Sequence, residues 1–332
     1  MAGFKEIIGH KREIAHLEQA ISAGKVSHAY IFSGEKGTGK KTLADAFAMT
    51  LQCESEGERP CGRCHSCRQA GSGNHPDIIY IRHDKPASIG VEDIRDQLTG
   101  DIQIRPYNGK YKIYIIPEAE KMTVQAQNAI LKTIEEPPEY AVIILLPANE
   151  QSFLDTIRSR CVTLNLKPVP DEQVKAYLME HLQVPDYQAD ICASFAQGNI
   201  GKAVRLASSD DFSAIKSSAM QLIRNAGSME ISEIIEFVKS VQEYKITIQD
   251  YLDILALWYR DMVYFKATKD IDGIIFKDEI RTIRDTVKVC SYEGVEEVMK
   301  AIESAKTRLN ANVNFDLTME LLFLVIKENI HG

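Results

Sequence analysis

The chain has 332 residues, 45% of them hydrophobic and 26% charged, with a formal net charge of −8. That length exceeds one ordinary domain and that balance excludes disorder, so two or three folded domains are expected. Residues 1–165 hold 20 Lys+Arg against 21 Asp+Glu and the remainder 19 against 26, an acidic balance that argues against a self-sufficient, phosphate-neutralising DNA binder.

The N-terminus, MAGFKEIIGHKRE, has no signal-peptide core, and no apolar run reaches the length of a membrane span; a cytoplasmic protein with no membrane partner is expected. Ile7, Ile14, Leu17 and Ile21 fall near helical spacing, which predicts a helix over Glu6–Ala23 closed by Gly24. Ala29–Phe32 (AYIF) is a short apolar run that stops at a glycine-rich turn and reads as a buried strand, and Lys40–Leu51 resumes as a helix. Three more short runs rich in β-branched residues read as strands: Ile78–Ile81, Lys112–Ile116 and Val142–Leu146. Between the last two, a helix should bury Ile130, Leu131 and Ile134. Apolar strands alternating with helices predict a parallel sheet covered on both faces.

GEKGTGKKT (Gly34–Thr42) sits between a strand and a helix, the context of a phosphate-binding loop. Backbone N–H groups around Gly34, Gly37 and Gly39 would cradle phosphates ahead of a helix N-terminus, and Lys40 would reach the terminal ones. The hydroxyl that should follow the lysine and bind Mg²⁺ is displaced: Lys41 stands there and Thr42 comes one residue late. The partner motif, an acidic pair after a neighbouring strand, reads Pro117-Glu118, so only Glu118 remains. With two magnesium ligands missing, ATP and Mg²⁺ binding should be impaired and self-catalysed hydrolysis is not expected.

Cys53, Cys61, Cys64 and Cys67 lie within fifteen residues. In a reducing compartment four clustered thiolates suit a closed, structural Zn²⁺ site better than disulfides. His65 is read as a surface residue, and Pro60, Gly62 and Arg63 as turn residues offering N–H groups to the sulfurs.

After Val162–Pro170 amphipathic helices take over, at Asp171–Leu182, Asp186–Ala196, Ile200–Leu206, Ile231–Val241, Ile248–Phe265 and Val295–Leu309. Pro168–Pro170 marks one boundary and Ser208–Phe212, with a solvated Asp210-Asp211 linker, a second. Trp258, Tyr259 and Tyr264 share a helix with Leu252, Leu255 and Met262 and read as core or subunit contact. The expected fold is therefore α/β and then all-α, with an α/β domain at 1–166, a small helical domain at 167–208 and a second helical domain at 209–332.

SHAYIFSG before the glycine loop, the four-cysteine insert, QNAILKTIEEPP (Gln127–Pro138) and TIRSRC (Thr156–Cys161) together resemble the bacterial clamp-loader subunits of the DNA polymerase III complex, which carry AAA+ modules. The resemblance spans residues 1 to about 207. It implies an AAA+ domain with a zinc-binding insert at about 53–67, a lid domain, and a helical oligomerisation collar. It also implies motor (gamma/tau) and delta subunits as partners in a hetero-pentamer, which handles the sliding clamp and primed DNA. Lys41, Pro117 and a glycine (Gly201) where the family has an ATP-sensing arginine point to the delta-prime branch, which does not hydrolyse ATP; Arg205 lies nearby but does not match. Arg160, in Ser159-Arg160-Cys161, matches the arginine finger that reaches the nucleotide site of an adjacent subunit. Two rivals stand beside this: an active ATPase motor subunit, favoured by Lys40 and Glu118, and a zinc-dependent nucleic-acid-binding module.

Overall fold

The computed structural model describes residues 3–209 and 212–330; the expected Asp210-Asp211 linker lies outside the described residues. The chain divides into two units, Met1–Val204 and Arg205–Gly332. No helix among the described residues is long and apolar enough to cross a membrane.

The first unit opens differently from expectation. A single 3₁₀ turn at Phe4–Glu6 precedes helix α1, which runs only over Lys11–Ser22. The predicted helix cannot begin at Glu6 because Gly9 (φ 72°) and His10 (φ 51°) are both left-handed. Gly9 also packs on Val169, where an added Cβ would come within 2.6 Å of a methyl carbon, so the break is held by a contact distant in sequence.

Strand β1 (Ala29–Ser33) feeds helix α2 (Lys40–Gln52), the cysteine segment and short helix α3 (His65–Gly71). Then follow β2 (Ile78–Tyr80), α4 (Val91–Ile94), β3 (Lys112–Pro117), α5 (Val124–Glu135), β4 (Ala141–Leu146), α6 (Asp155–Arg158) and β5 (Val162–Asn165). Among the described residues these strands form one parallel sheet in the order β2-β3-β4-β1-β5. The four predicted strands are present. β5 was not among them because its sequence, VTLN, alternates Val162 and Leu164 with polar Thr163 and Asn165 and so lacks their continuous apolar run.

Alternate residues of each strand enter opposite cores, as the two-residue repeat dictates. Tyr30, Phe32, Ile113, Ile115, Val142 and Ile144 pack with Leu43 and Phe47 of α2. Ile31, Tyr114, Ile116, Ile143 and Leu145 pack with Ile130 and Ile134 of α5. Leu131 is only partly buried at the margin of that second core. Three helices complete the unit, α7 (Asp171–Leu182), α8 (Asp186–Ala196) and the start of α9 (Ile200–Ala207), and the division between units falls inside α9.

The second unit is helical: α10 (Phe212–Asn225), α11 (Ile231–Val241), α12 (Ile248–Thr268), α13 (Ile280–Val289), α14 (Tyr292–Asn310) and α15 (Phe315–Ile330). α12 packs against α10, α13 and α14 and buries Leu252, Leu255, Trp258, Tyr259 and Met262, whereas Tyr264 is only half-buried and donates its hydroxyl to Asp270 (2.8 Å). α10, α13 and α15 were not legible as separate helices.

Asp77, just before β2, is buried and accepts N–H bonds from Tyr107 (2.6 Å), Asn108 (2.8 Å) and Gly109 (3.1 Å). It fixes the turn that enters β3. Asp77→Ala strands three donors and should lower stability by about 2–4 kcal/mol; urea unfolding followed by circular dichroism checks this, and a change below about 0.5 kcal/mol, the scatter of ordinary surface substitutions, would contradict it.

Candidate functional site

The glycine loop follows the carboxyl end of β1 and opens α2, where an open parallel sheet places its ligand crevice. Gly34, Gly37 and Gly39 have φ of 157°, 94° and 92°, so at Gly37 and Gly39 the left-handed backbone explains why the turn needs glycine. Lys40 folds back over the turn. Its ammonium donates to the Gly34 carbonyl and to that of Glu35 (3.0 Å). Burial lowers its pKa, against the opposing pull of Glu120, Glu35 and Glu118.

The positions around it make contacts within the chain. Lys41 turns away from the loop, donating to Asp45 (2.9 Å) one helical turn on and lying 4.9 Å from the centre of the Tyr80 ring. The Tyr80 hydroxyl donates to the same Asp45 carboxylate, and burial, then this bond, raises its pKa. Thr42 is exposed. Pro117 ends β3, and Glu118 behind it is left-handed (φ 48°) and paired with Lys121 (2.7 Å). That bond holds its carboxyl below the usual range.

The start of α9 lies directly on the loop. The Gly201 N–H donates to the Gly37 carbonyl (2.9 Å), and Asn199 donates its amide to the Lys36 carbonyl (2.9 Å) while its Oδ1 caps α9 through Lys202 N–H (3.0 Å). A Cβ at 201 would stand 2.7 Å from Gly37 Cα and 2.9 Å from its carbonyl oxygen. No side chain fits there without moving one backbone off the other. On the opposite flank His10 Nε2 lies 3.0 Å from the Thr38 carbonyl, and a cavity of about 360 Å³ lies between residues 9–13 and 167–173.

The cysteines form a second centre. Cys53 caps the end of α2, Cys64 caps the start of α3, and Cys67 sits within α3. The four sulfurs lie within 4.8 Å of one another, close to the roughly 3.8 Å separation expected of a tetrahedron with 2.3 Å metal–sulfur bonds. N–H groups of Cys61, Cys64 and Cys67 point to the sulfurs of Cys53 (3.4 Å), Cys61 (3.4 Å) and Cys64 (3.3 Å). Backbone donation from Arg63 and Cys64 pulls the Cys61 thiol down to about 6, whereas burial pushes Cys67 up. The donor set is compatible with a structural zinc site, and His65 is exposed beside it.

Arg160 lies just before β5, at the amino end of the sheet. Its guanidinium pairs with Glu135 of α5 (3.1 Å) and donates to the Thr156 carbonyl (3.0 Å), with 41% of the side chain exposed. β5 runs parallel to β1, with Val162 opposite Tyr30 and Asn165 opposite Ser33. Arg160 and the glycine loop therefore belong to opposite edges of the sheet, about six residues or 20 Å apart along the strands.

His10, Asn199, Asp45 and Tyr80 were missed as site residues. Lys41 and Asp45 carry the i, i+4 spacing of a helical ion pair, a signal that was present. Asn199 precedes a helix as caps do; its reach to Lys36 has no local signal.

A family described as DNA polymerase III, delta subunit, matches residues 9–170. The DNA polymerase III subunit delta' of Bacillus subtilis is 30% identical over 94% of this chain and 94% of its own length. The DNA polymerase III subunit tau of the same organism is 26% identical over 95% of this chain, but the match takes in only 60% of tau. Among solved structures, a DNA polymerase III gamma subunit-related protein of Thermotoga maritima covers 95% of this chain and 99% of its own, at 17% identity and a TM-score of 0.44.

Gly201→Arg, which places a side chain where two backbones touch, should lower stability by about 1–3 kcal/mol, and Asn199→Ala by about 1 kcal/mol. Urea denaturation of both variants checks the contact, and an unchanged midpoint for Gly201→Arg would disprove it.

Proposed function

The chain belongs to the delta-prime family of bacterial DNA polymerase III clamp-loader subunits, and on that premise we propose that it is the non-hydrolysing stator of the complex. In this reading it joins motor (gamma/tau) subunits and the delta subunit in a hetero-pentamer that loads the sliding clamp on primed DNA. Residues 1–166 are the AAA+ domain, 167–208 the lid and 209–332 the collar through which the chain oligomerises.

The observation that carries the reading is an asymmetry between the two edges of one sheet. At the carboxyl edge Lys41 is drawn to Asp45, Pro117 replaces a carboxylate, and Gly201 rests on Gly37. Such a loop lacks the ligands that hold magnesium against a terminal phosphate, and its lid has no room for a sensing side chain. At the amino edge Arg160 is exposed and held by one ion pair and a hydrogen bond to the Thr156 carbonyl. A half-exposed pair of this kind is worth about 0–1 kcal/mol, so Arg160 leaves Glu135 at little cost when a better anion arrives.

That anion is the developing γ-phosphate charge in the neighbouring subunit's site. A planar guanidinium offers paired donors to phosphate oxygens, and arginine fingers in GTPases raise hydrolysis by about 10³–10⁵. Because Arg160 stands at the far edge from its own glycine loop, this reading assigns it to the neighbour. The chain is thus catalytic only in assembly. Four thiolates around one Zn²⁺ would tie the end of α2 to α3, a structural use with no open coordination position. The acidic unpaired chain gives no support to the nucleic-acid-binding rival.

In a reconstituted complex, Arg160→Ala should leave assembly intact and reduce hydrolysis at the one adjacent motor site by about tenfold or more; unchanged turnover when that site alone is active would refute the finger. Elemental analysis should find about one zinc per chain, and Cys61→Ser should lose it with a fall in melting temperature. A metal-free wild type, or a Cys61→Ser protein as stable as wild type, would refute the structural metal.

A further inference from the structure

The cysteine centre rests on a small foundation. α3 has seven residues, too few to hold a helix by itself. The apolar cluster behind it has four buried members, Met49, Cys53, Cys67 and Ala70. Yet α3 carries Cys64 at its cap and Cys67 in its first turn, so its angle decides whether those two sulfurs face Cys53 and Cys61.

A buried histidine grips α3 from the far side. The helix ends at left-handed Gly73 (φ 75°), where the Gly73 N–H donates to the Ala70 carbonyl (3.0 Å) and the Asn74 N–H to that of Gln69 (2.9 Å). This cap turns the chain back along the helix. It brings His75 to Ser66, nine positions earlier, with Nε2 2.8 Å from the hydroxyl oxygen, and both residues are buried. Nδ1 accepts the backbone N–H of Asp77 (3.1 Å). A ring that accepts there is neutral and carries its hydrogen on Nε2, so Nε2–H donates and the Ser66 hydroxyl accepts. Burial lowers the His75 pKa, against the pull of Asp77 and Glu54, in keeping with a neutral ring. Both nitrogens are engaged, so His75 is not itself a metal ligand. The Asp77 carboxylate in turn holds the 107–109 turn before β3, and the contacts run unbroken from the sheet to α3.

We infer that His75 is the positioning residue of the cysteine centre: through its Nε2–H bond to Ser66 it sets α3 at the angle that keeps Cys64 and Cys67 on the metal. The inference rests on the structural zinc reading given above. His75 acts one step further out than groups bonded to the ligands, which are worth about 10–100-fold in metal affinity. Its two bonds can be cut separately. The amide nitrogen of glutamine falls where Nε2 stands, so His75→Gln keeps the donor to Ser66 and loses the acceptor for Asp77. The amide oxygen of asparagine falls where Nδ1 stands, so His75→Asn keeps that acceptor and loses the donor. A histidine that served only the stability of the fold would make the two variants release metal alike.

The test is zinc transfer from the loaded full chain to a chromophoric chelator near neutral pH, with a circular dichroism spectrum of each variant. His75→Asn and the smaller change Ser66→Ala should release zinc about tenfold faster than wild type, and His75→Gln should stay within about twofold of it. Nitrogen NMR of the wild-type histidines should show His75 as the Nε2–H tautomer. Three results would overturn the proposal: His75→Asn holding zinc as long as wild type, equal release by the Asn and Gln variants, or an Nδ1–H tautomer. A wild type that never holds zinc would overturn the structural metal together with this proposal; a zinc-bound wild type with indistinguishable variants overturns this proposal alone.

Discussion

The polarity of a parallel sheet is the constraint on which the rest of this structure depends. All five strands run the same way, so every strand end at one edge is a carboxyl end. The glycine loop leaves β1 at that edge and Arg160 enters β5 at the other. Continuous apolar runs on both faces make this topology stable, and the topology in turn separates a phosphate cradle from a phosphate-seeking guanidinium. On the proposed reading, one domain carrying both would serve different subunits' sites.

Within the carboxyl edge, the loop has the backbone of a phosphate cradle, while the side chains beside it pair within the chain. Glycine torsions, the strand before and the helix after are all present. What changed are single side chains with definite alternatives: Lys41 has Asp45 and Tyr80 as partners, and Glu118 has Lys121. Gly201 lets the start of α9 touch the loop backbone to backbone. Each replacement substitutes an internal contact for one that a nucleotide and its metal would make, consistent with a part whose task is to hold position.

Much of this was legible in the sequence because it is local. The strand–glycine loop–helix order, the cysteine spacing and the four buried strands are patterns over a few residues, and the fold repeats them. The start of α1 was misplaced because Gly9 is fixed by Val169, and the lid contact was invisible because Asn199 and Lys36 are 163 positions apart. β5 escaped notice because Thr163 and Asn165 interrupt its apolar run, and α13 because three of its ten residues are outward cations. The role expected of Arg160 rests on the resemblance of Ser159-Arg160-Cys161 to a family motif. Its pairing with Glu135 joins residues 25 positions apart, a contact with no local signature.

Whether the chain turns over ATP by itself separates a stator from a motor. The direct measurement is steady-state hydrolysis by the purified chain with saturating ATP and Mg²⁺, alongside Lys40→Ala. A stator predicts no turnover above background and no difference between the two proteins. Turnover near the ordinary enzymatic range of about 1 s⁻¹ or more, abolished by Lys40→Ala, would contradict it and make the chain a motor.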